Sequence, residues 1–339
     1  MRLFHYRRGI LTVTAALLAA GLAACSGGGS RPPISSQPAA SGGQAQQSLG
    51  LPPDSAGPVH WQMQSGGAAH DGSLQALAFL PGKITVDEGD SITWTSQGEP
   101  HTVTFLGPYS SPPANPTAPQ GGTSFDGSTF VSSGFMQPGQ QFTLTFTKAG
   151  TYAYFCVLHA PEMSGVVVVQ PRGTPYPASQ TAYDVTGHLQ ELTLLGEAQA
   201  AVLRLPIDSG TTIAAGTSGP AQSDGEPSKA TVLSFLDRDR LNSTTITVRA
   251  GTTITWRNLS NNEPHTVTFP VAGQPLPPAY GNPFSPPTGG TTYDGSEIVN
   301  SGVLNSGDEF HLTFTKPGTY AYECLFHDEE HMEGTVIVK

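Results

Sequence analysis

The fold is decided by a stretch that the chain carries twice. It reads Thr147-Lys-Ala-Gly-Thr-Tyr-Ala-Tyr-Phe-Cys156-Val-Leu-His159-Ala-Pro-Glu-Met163-Ser-Gly165 in the first half, and Thr315-Lys-Pro-Gly-Thr-Tyr-Ala-Tyr-Glu-Cys324-Leu-Phe-His327-Asp-Glu-Glu-His-Met332-Glu-Gly334 in the second. A second matching piece precedes each copy: Glu99-Pro-His101-Thr-Val-Thr-Phe105 and Glu263-Pro-His265-Thr-Val-Thr-Phe269. Each half therefore supplies one His far upstream, and then a Cys, a His and a Met within a single loop.

These four residues form a soft ligand set for a metal ion. Structural zinc sites usually have four strong ligands and seldom use Met. One thiolate with two imidazoles and a weak axial thioether is instead the ligand set of a blue-copper electron-transfer centre. The candidate ligands are His101, Cys156, His159 and Met163 in the first half, and His265, Cys324, His327 and Met332 in the second.

The spacing of the ligands suits a loop between two strands. Tyr152, Tyr154 and Cys156 alternate along the chain, so they share one face of a strand, which we expect to be the core face. The strand ends at the Cys, the loop with His and Met turns back, and the next strand leaves at the Gly. The same reading holds for the second copy.

Both halves resemble cupredoxins, above all the plastocyanin and pseudoazurin group. The resemblance rests on the Pro-His-x-Val-x-Phe strand, the Gly-x-Tyr-x-Tyr-x-Cys strand, the Cys-x2-His loop and the Met-x-Gly exit, and it covers roughly 59–170 and 228–339. It implies an all-β protein of two tandem Greek-key β-sandwiches, each with one type 1 copper ion that cycles between Cu(I) and Cu(II). It also implies that His159 and His327 reach solvent and pass electrons by outer-sphere transfer.

The two loops differ from each other in ways that bear on the ligands. The first loop is Cys-x2-His-x3-Met, one residue shorter than the second, which makes Met163 the least secure ligand. In the second loop His331 could compete with Met332, but the alignment of Met163-Ser-Gly with Met332-Glu-Gly favours Met332. Phe155 and Glu323 precede the two Cys residues and turn outward by alternation. We hypothesise that the two centres differ in partner or in potential.

Composition supports the all-β class and a two-domain division. Gly (40) and Pro (30) are abundant and charged residues are only 12%, as in chains with many strands and turns. We assign residues 58–170 to domain 1, 171–228 to a partly helical linker and 229–339 to domain 2. Within the linker, apolar residues at helical spacing predict an amphipathic helix over 181–203, and the Ser/Gly/Thr-rich 208–228 is expected to be flexible. The apolar residues of that helix are Val185, Leu189, Leu192 and Leu195.

The N-terminus is typical of a bacterial lipoprotein leader. Residues 1–24 combine three arginines with an apolar run that is shorter than a transmembrane helix usually requires. The sequence Leu22-Ala-Ala-Cys25 resembles a lipobox, which implies a lipid on Cys25 and export to the outer face of the cell membrane or to the outer membrane. Residues 25–57 then read as a flexible tether. The export route, general or twin-arginine, stays open.

Charge and histidine pattern limit the function. A net charge of −11 argues against nucleic acid as a partner and favours a basic redox partner, although solubility alone explains this charge equally well.

Copper oxidases and nitrite reductases with this fold need further His ligands, typically as His-x-His, and the chain has no such pair. An electron carrier is therefore favoured over an enzyme, and copper sequestration stays open. Four other histidines are expected to be structural: His60, His70, His188 and His311.

Overall fold

The computed structural model describes residues 57–112, 118–207, 210–223, 225, 227–237, 245–261, 263–278 and 281–339. The leader 1–24, Cys25 and almost all of the tether 25–57 lie outside these ranges. Within them, we find no helix with the length and apolar character needed to cross a bilayer.

The first half forms ten strands in two sheets. The strands are β1 His60–Ala68, β2 Leu74–Leu80, β3 Lys83–Asp87, β4 Ser91–Ser96, β5 Thr104–Phe105, β6 Ser124–Phe125, β7 Val131–Ser132, β8 Gln141–Phe146, β9 Gly150–Phe155 and β10 Ser164–Gln170. One sheet has the order β2-β1-β4-β8-β6 and the other β3-β10-β9-β5-β7. Alternation buries one face of several strands, whereas β2 is buried on both faces. In β10, for example, Val167 and Val169 point into the core between the sheets.

The second half repeats this arrangement strand for strand. The strands are β11 Thr212–Ser218, β12 Ala230–Leu236, β13 Thr245–Val248, β14 Thr253–Leu259, β15 Thr268–Phe269, β16 Thr292–Tyr293, β17 Val299–Asn300, β18 Glu309–Phe314, β19 Gly318–Glu323 and β20 Glu333–Val338. The two sheets have the orders β12-β11-β14-β18-β16 and β13-β20-β19-β15-β17. The predicted all-β class with two tandem β-sandwiches is confirmed.

The two halves share one continuous sheet. Strand β2 pairs antiparallel with β12, with Leu74 opposite Val232 and Ala76 opposite Ala230. The two edge strands thereby satisfy each other's backbone groups and join two five-stranded sheets into one of ten strands. This pairing relates the halves by an approximate twofold axis and brings equivalent loops of the two halves together.

The predicted helix is present, but a different face of it is buried. Helix α1 spans Gln180–Val202 and buries Tyr183, Gly187, Ala198 and Val202. Of the apolar residues that predicted an amphipathic helix, Val185, Leu189 and Leu192 are exposed and Leu195 is half-buried. The reason is close packing. A Cβ atom on Gly187 would lie 3.0 Å from the backbone of Leu80, so the helix rests on the sheet through its small residues. Its C-terminal part covers a third apolar cluster at the β2–β12 junction.

The expectation that 208–228 is flexible is wrong for Thr212–Ser218, which forms β11. This strand pairs with both β12 and β14 and is the counterpart of β1. Its sequence, Thr-Ile-Ala-Ala-Gly-Thr-Ser, has small side chains and is polar enough to resemble a loop. Two neighbouring strands nevertheless bury it and satisfy its backbone, so domain 2 begins before residue 229.

Candidate metal centres

The first centre gathers three donor residues from distant parts of domain 1. His101 lies beside Met136 just before β5, Cys156 follows β9, and His159 lies in the loop that leads to β10. The Nδ1 atoms of the two histidines are 3.1 Å apart, and the Cys156 Sγ lies 4.0 Å from Nδ1 of His101 and 3.4 Å from Nδ1 of His159. All three side chains are buried.

The second centre repeats this geometry within a few tenths of an ångström. The Nδ1 atoms of His265 and His327 are 3.2 Å apart, and the Cys324 Sγ lies 3.8 and 3.4 Å from them, respectively. These side chains are also buried. The repeat in the sequence is thus a repeat in the arrangement of donor atoms.

Both methionines lie in the cores next to these donors, and the two loops close in the same way. Met163 and Met332 are fully buried members of their domain cores. In each loop the amide of the Cys donates to the carbonyl of the Met, at 2.9 Å, which fixes the loop ends. The extra residue of the second loop is taken up at His331, which is exposed and has a φ of 58°. The structure therefore turns His331 outward and Met332 inward.

The donor atoms fit a copper ion. A metal ion about 2.0–2.3 Å from each of three nitrogen and sulfur ligands requires these ligands to lie about 3–4 Å apart, and both sets of donors meet this requirement. Burial alone would raise the pKa of the Cys156 thiol, but the charge of His159 and hydrogen bonds from His101 and His159 outweigh burial and hold that pKa well below its usual value. The same balance lowers the pKa of Cys324. Both thiols are thus prepared to bind as thiolates.

Further contacts fix the ligands from behind. The amides of Thr102 and Thr266 donate to the Sγ atoms of Cys156 and Cys324, at 3.2 and 3.3 Å. The strand histidines differ in their outer contact. Nε2 of His101 lies 3.2 Å from the carbonyl oxygen of Gln97, whereas Nε2 of His265 lies 3.1 Å from the hydroxyl of Ser260. Such outer partners orient the ring and tune the metal, so the two centres are not equivalent.

The loop histidines do not reach solvent. His159 and His327 are 5% and 3% exposed, and their Nε2 atoms lie near the same two carboxylates at the junction of the two domains. The Oε2 atom of Glu99 lies 3.5 Å from Nε2 of His159 and 4.0 Å from Nε2 of His327. The Oε1 atom of Glu263 lies 3.9 Å from Nε2 of His159, and its Oε2 atom lies 3.7 Å from Nε2 of His327. The expectation of a solvent-exposed ligand edge is wrong, because the β2–β12 pairing turns the two loops toward each other.

Sequence reasoning missed the two glutamates at this junction. Glu99 and Glu263 begin the duplicated Glu-Pro-His pieces, and their repetition was the available signal. Burial would raise the pKa of Glu99, but the neighbouring His159 outweighs it and lowers that pKa to about 2. Two further glutamates, Glu162 and Glu330, are also buried. Burial and the charge of Glu99 raise the pKa of Glu330 to about 7.

Four other histidines lie outside the candidate metal clusters. Among the described residues, the clusters of His, Cys, Asp and Glu include none of His60, His70, His188 and His311. His311 faces outward and lies 2.9 Å from the hydroxyl of Thr255. Cys25 lies outside the described residues.

Comparison with known proteins gives the family. Residues 68–170 and 240–339 each match the copper-binding proteins of the plastocyanin/azurin family, and the chain belongs to this family. A plastocyanin of Tetradesmus obliquus is 35% identical over 97 residues, which are 28% of this chain and 60% of that protein. A plastocyanin of Scenedesmus fuscus is 31% identical over 28% of this chain and 89% of its own length.

Amicyanin is the second kind of relative. The amicyanin of Paracoccus denitrificans is 33% identical over 29% of this chain and 62% of its own length. The chain thus spans about three fifths of the length of two of these three relatives. Among solved structures, a copper(I) form of an amicyanin variant matches 33% of this chain and 82% of its own, with 26% identity and a TM-score of 0.24.

Proposed function

We propose that this protein is a membrane-anchored electron carrier with one type 1 copper ion in each domain. The observation that carries the proposal is the buried His/Cys/His donor set, present twice with its donor atoms within 4.8 Å of one another. His101, Cys156, His159 and Met163 would hold one ion, and the equivalent residues His265, Cys324, His327 and Met332 the other. Bound copper supplies a one-electron couple between Cu(I) and Cu(II).

The protein's part in this function is to keep the donor atoms in place. The cysteines lie at the ends of core strands, and backbone hydrogen bonds close each ligand loop. The amides of Thr102 and Thr266 point at the sulfurs and stabilise negative charge there. A set of donors that is fixed before electron transfer needs little rearrangement when the charge of the centre changes.

Because the loop histidines are buried, we place electron entry and exit at their neighbours in the loops. Leu158 lies between Cys156 and His159 and is exposed. In domain 2 the equivalent Phe326 packs edge to face on the exposed ring of Phe284, with ring centroids 5.2 Å apart. In each domain, the residue directly before the loop histidine therefore belongs to an apolar surface. A partner could dock on this surface for outer-sphere transfer.

Features of the sequence support the proposed anchor and the proposed partner. The lipobox-like Leu22-Ala-Ala-Cys25 supports a lipid on Cys25 and a location on the outer face of a bacterial membrane. The net charge of −11 supports a basic redox protein as partner, attracted over a distance that shortens with added salt. The absence of any His-x-His pair from the sequence supports a carrier rather than an oxidase or a nitrite-reductase-like enzyme.

One observation favours a second candidate, copper sequestration. Both loop histidines are closed off between the domains, which suits retention of copper as well as electron transfer. Sequestration requires the same ligands but no rapid exchange of electrons with a partner.

Voltammetry of the copper-loaded chain distinguishes the two candidates. A carrier gives two reversible one-electron waves, one of which is lost in Cys156→Ser and the other in Cys324→Ser. Retained copper with slow or irreversible waves would support sequestration and contradict the carrier.

A further inference from the structure

Four buried donor groups meet between the two domains, on the far side of the loop histidines from the cysteines. They are the Nε2 atoms of His159 and His327 and the carboxylates of Glu99 and Glu263, with nitrogen–oxygen separations of 3.5–4.0 Å. Each of the four side chains is at most 5% exposed. Each domain contributes the same two positions, the Glu of Glu-Pro-His and the loop His.

These separations are longer than those of well-formed hydrogen bonds and are close to those of ligands around one metal ion. A hydrogen bond between nitrogen and oxygen spans about 2.7–3.2 Å. Ligands about 2.0–2.2 Å from a tetrahedral ion lie about 3.3–3.6 Å from one another. The observed range begins within these values and extends slightly above them. The ligand atoms of Glu99, His159 and Glu263 all lie within 4.8 Å of one another, and Nε2 of His327 lies beside this group, 4.0 and 3.7 Å from the two carboxylates. The Oε1 atoms of Glu99 and Glu263 are also buried without a hydrogen-bond partner, which is costly for a carboxylate.

The charge of the cluster points the same way. Among the described residues, Glu99 and Glu263 form ion pairs with His159 and His327, and neither carboxylate pairs with a Lys or Arg. Two buried carboxylates that have no Lys or Arg partner form a site suited to a bound cation.

We propose that Glu99, Glu263 and the Nε2 atoms of His159 and His327 form a third metal site, for a divalent transition-metal ion of the zinc type. Two imidazole nitrogens and two carboxylates are ligands that such an ion accepts in tetrahedral geometry. Each ring that becomes a ligand through Nε2 releases one proton to solvent, while the carboxylates are already ionised. The ion would join the two domains and connect the two histidine ligand loops.

The test is zinc binding to the copper-loaded full chain, in which copper occupies the cysteine sites. We expect one zinc ion per chain to remain after dialysis, in addition to copper, with release of protons during the titration. Glu99→Gln and Glu263→Gln should each weaken zinc binding by at least about a hundredfold, since loss of even an outer partner of a ligand typically costs ten- to a hundredfold. Glu330→Gln is the matched control, because this glutamate is also buried close to Glu99 but forms no ion pair with His159 or His327.

Cobalt provides a second measurement that needs no variant. Co(II) in this site should show the visible bands of a tetrahedral ion without a thiolate charge-transfer band. Zinc that is not retained, or that is lost equally in Glu330→Gln, would overturn the third site. The copper content and the copper absorption of the same samples test the proposed carrier separately, so the failure of one proposal is distinguishable from the failure of the other.

Discussion

Substitution of Gly66 by Ala should disable the first copper centre through a single methyl group. Gly66 has a φ of +81°, and a Cβ atom there would lie 2.0 Å from Nε2 of His101 and 2.4 Å from the carbonyl oxygen of Gln97. Non-bonded carbon atoms prefer separations of about 3.5–4.0 Å, so the ring would have to move by more than about 1 Å. A bond of about 2.0 Å between Nδ1 and a metal ion does not tolerate this movement.

The effect on the backbone can be separated from the effect on the ring. Gly139 has a φ of +82°, and nothing lies within 4 Å of a Cβ atom placed there. Both alanine variants should lose about 1–2 kcal/mol for the left-handed conformation. Gly66→Ala should in addition weaken copper binding in domain 1 by at least about a hundredfold. Mutation of a residue that only orients a ligand typically weakens metal binding by about ten- to a hundredfold, and Gly66→Ala displaces the ligand itself.

The assay is competition for Cu(I) with a chromophoric chelator, followed by denaturant unfolding of the copper-free chain. Gly216→Ala provides the reciprocal test, because its Cβ atom would lie 2.2 Å from Nε2 of His265 and should affect the second centre alone. Full copper affinity in Gly66→Ala, or an equal loss in Gly139→Ala, would refute the reasoning.

Three further predictions concern the helix, a buried carboxylate and the surface near the centres. Gly187→Ala should destabilise the fold by about 1 kcal/mol or more, because its Cβ atom meets the Leu80 backbone, whereas Gly196→Ala, with open space, should stabilise α1 by about 0.5–1 kcal/mol in denaturant unfolding. Asp90→Ala should cost about 3–5 kcal/mol, because its buried carboxylate accepts from two amides, an indole and a phenol. Phe284→Ser should slow electron transfer to a basic protein partner at least severalfold in stopped-flow mixing without changing the copper spectrum.

Each of these predictions has an outcome that contradicts it. Equal effects of Ala at the two helical glycines would show that α1 does not rest on the sheet through Gly187. A loss below 1 kcal/mol for Asp90→Ala would mean that its four donors find other acceptors. Leu158→Ser is the corresponding change in domain 1. If the electron-transfer rate is unchanged in both Phe284→Ser and Leu158→Ser, the partner docks on a different surface.

The metal-binding loops could be predicted from the sequence because their chemistry and spacing are local. Cys156 and His159 are three residues apart in one loop, and their ligand types alone narrow the choice of metal. His101 is distant in sequence, but its repetition in the second half as His265 identified it. Burial of Tyr154 on the same strand face as the Cys followed from alternation.

The arrangement of the two domains could not be predicted in this way, because it depends on the pairing of two edge strands. Nothing in the pattern of β2 or β12 specifies that Ala76 will lie opposite Ala230. The burial of the loop histidines and the meeting of Glu99 with Glu263 follow from that pairing. The buried face of α1 was mispredicted for a related reason. Leucines predict a core face, but the close approach to the sheet requires Gly187.

Copper titration of the purified full chain, followed by absorption and electron paramagnetic resonance spectra, tests the central claim most directly. The account predicts two copper ions per chain in type 1 sites, each with an intense thiolate-to-copper band. Cys156→Ser should remove one of these bands and Cys324→Ser the other. No copper in the cysteine sites, or copper there without the thiolate band, would contradict it.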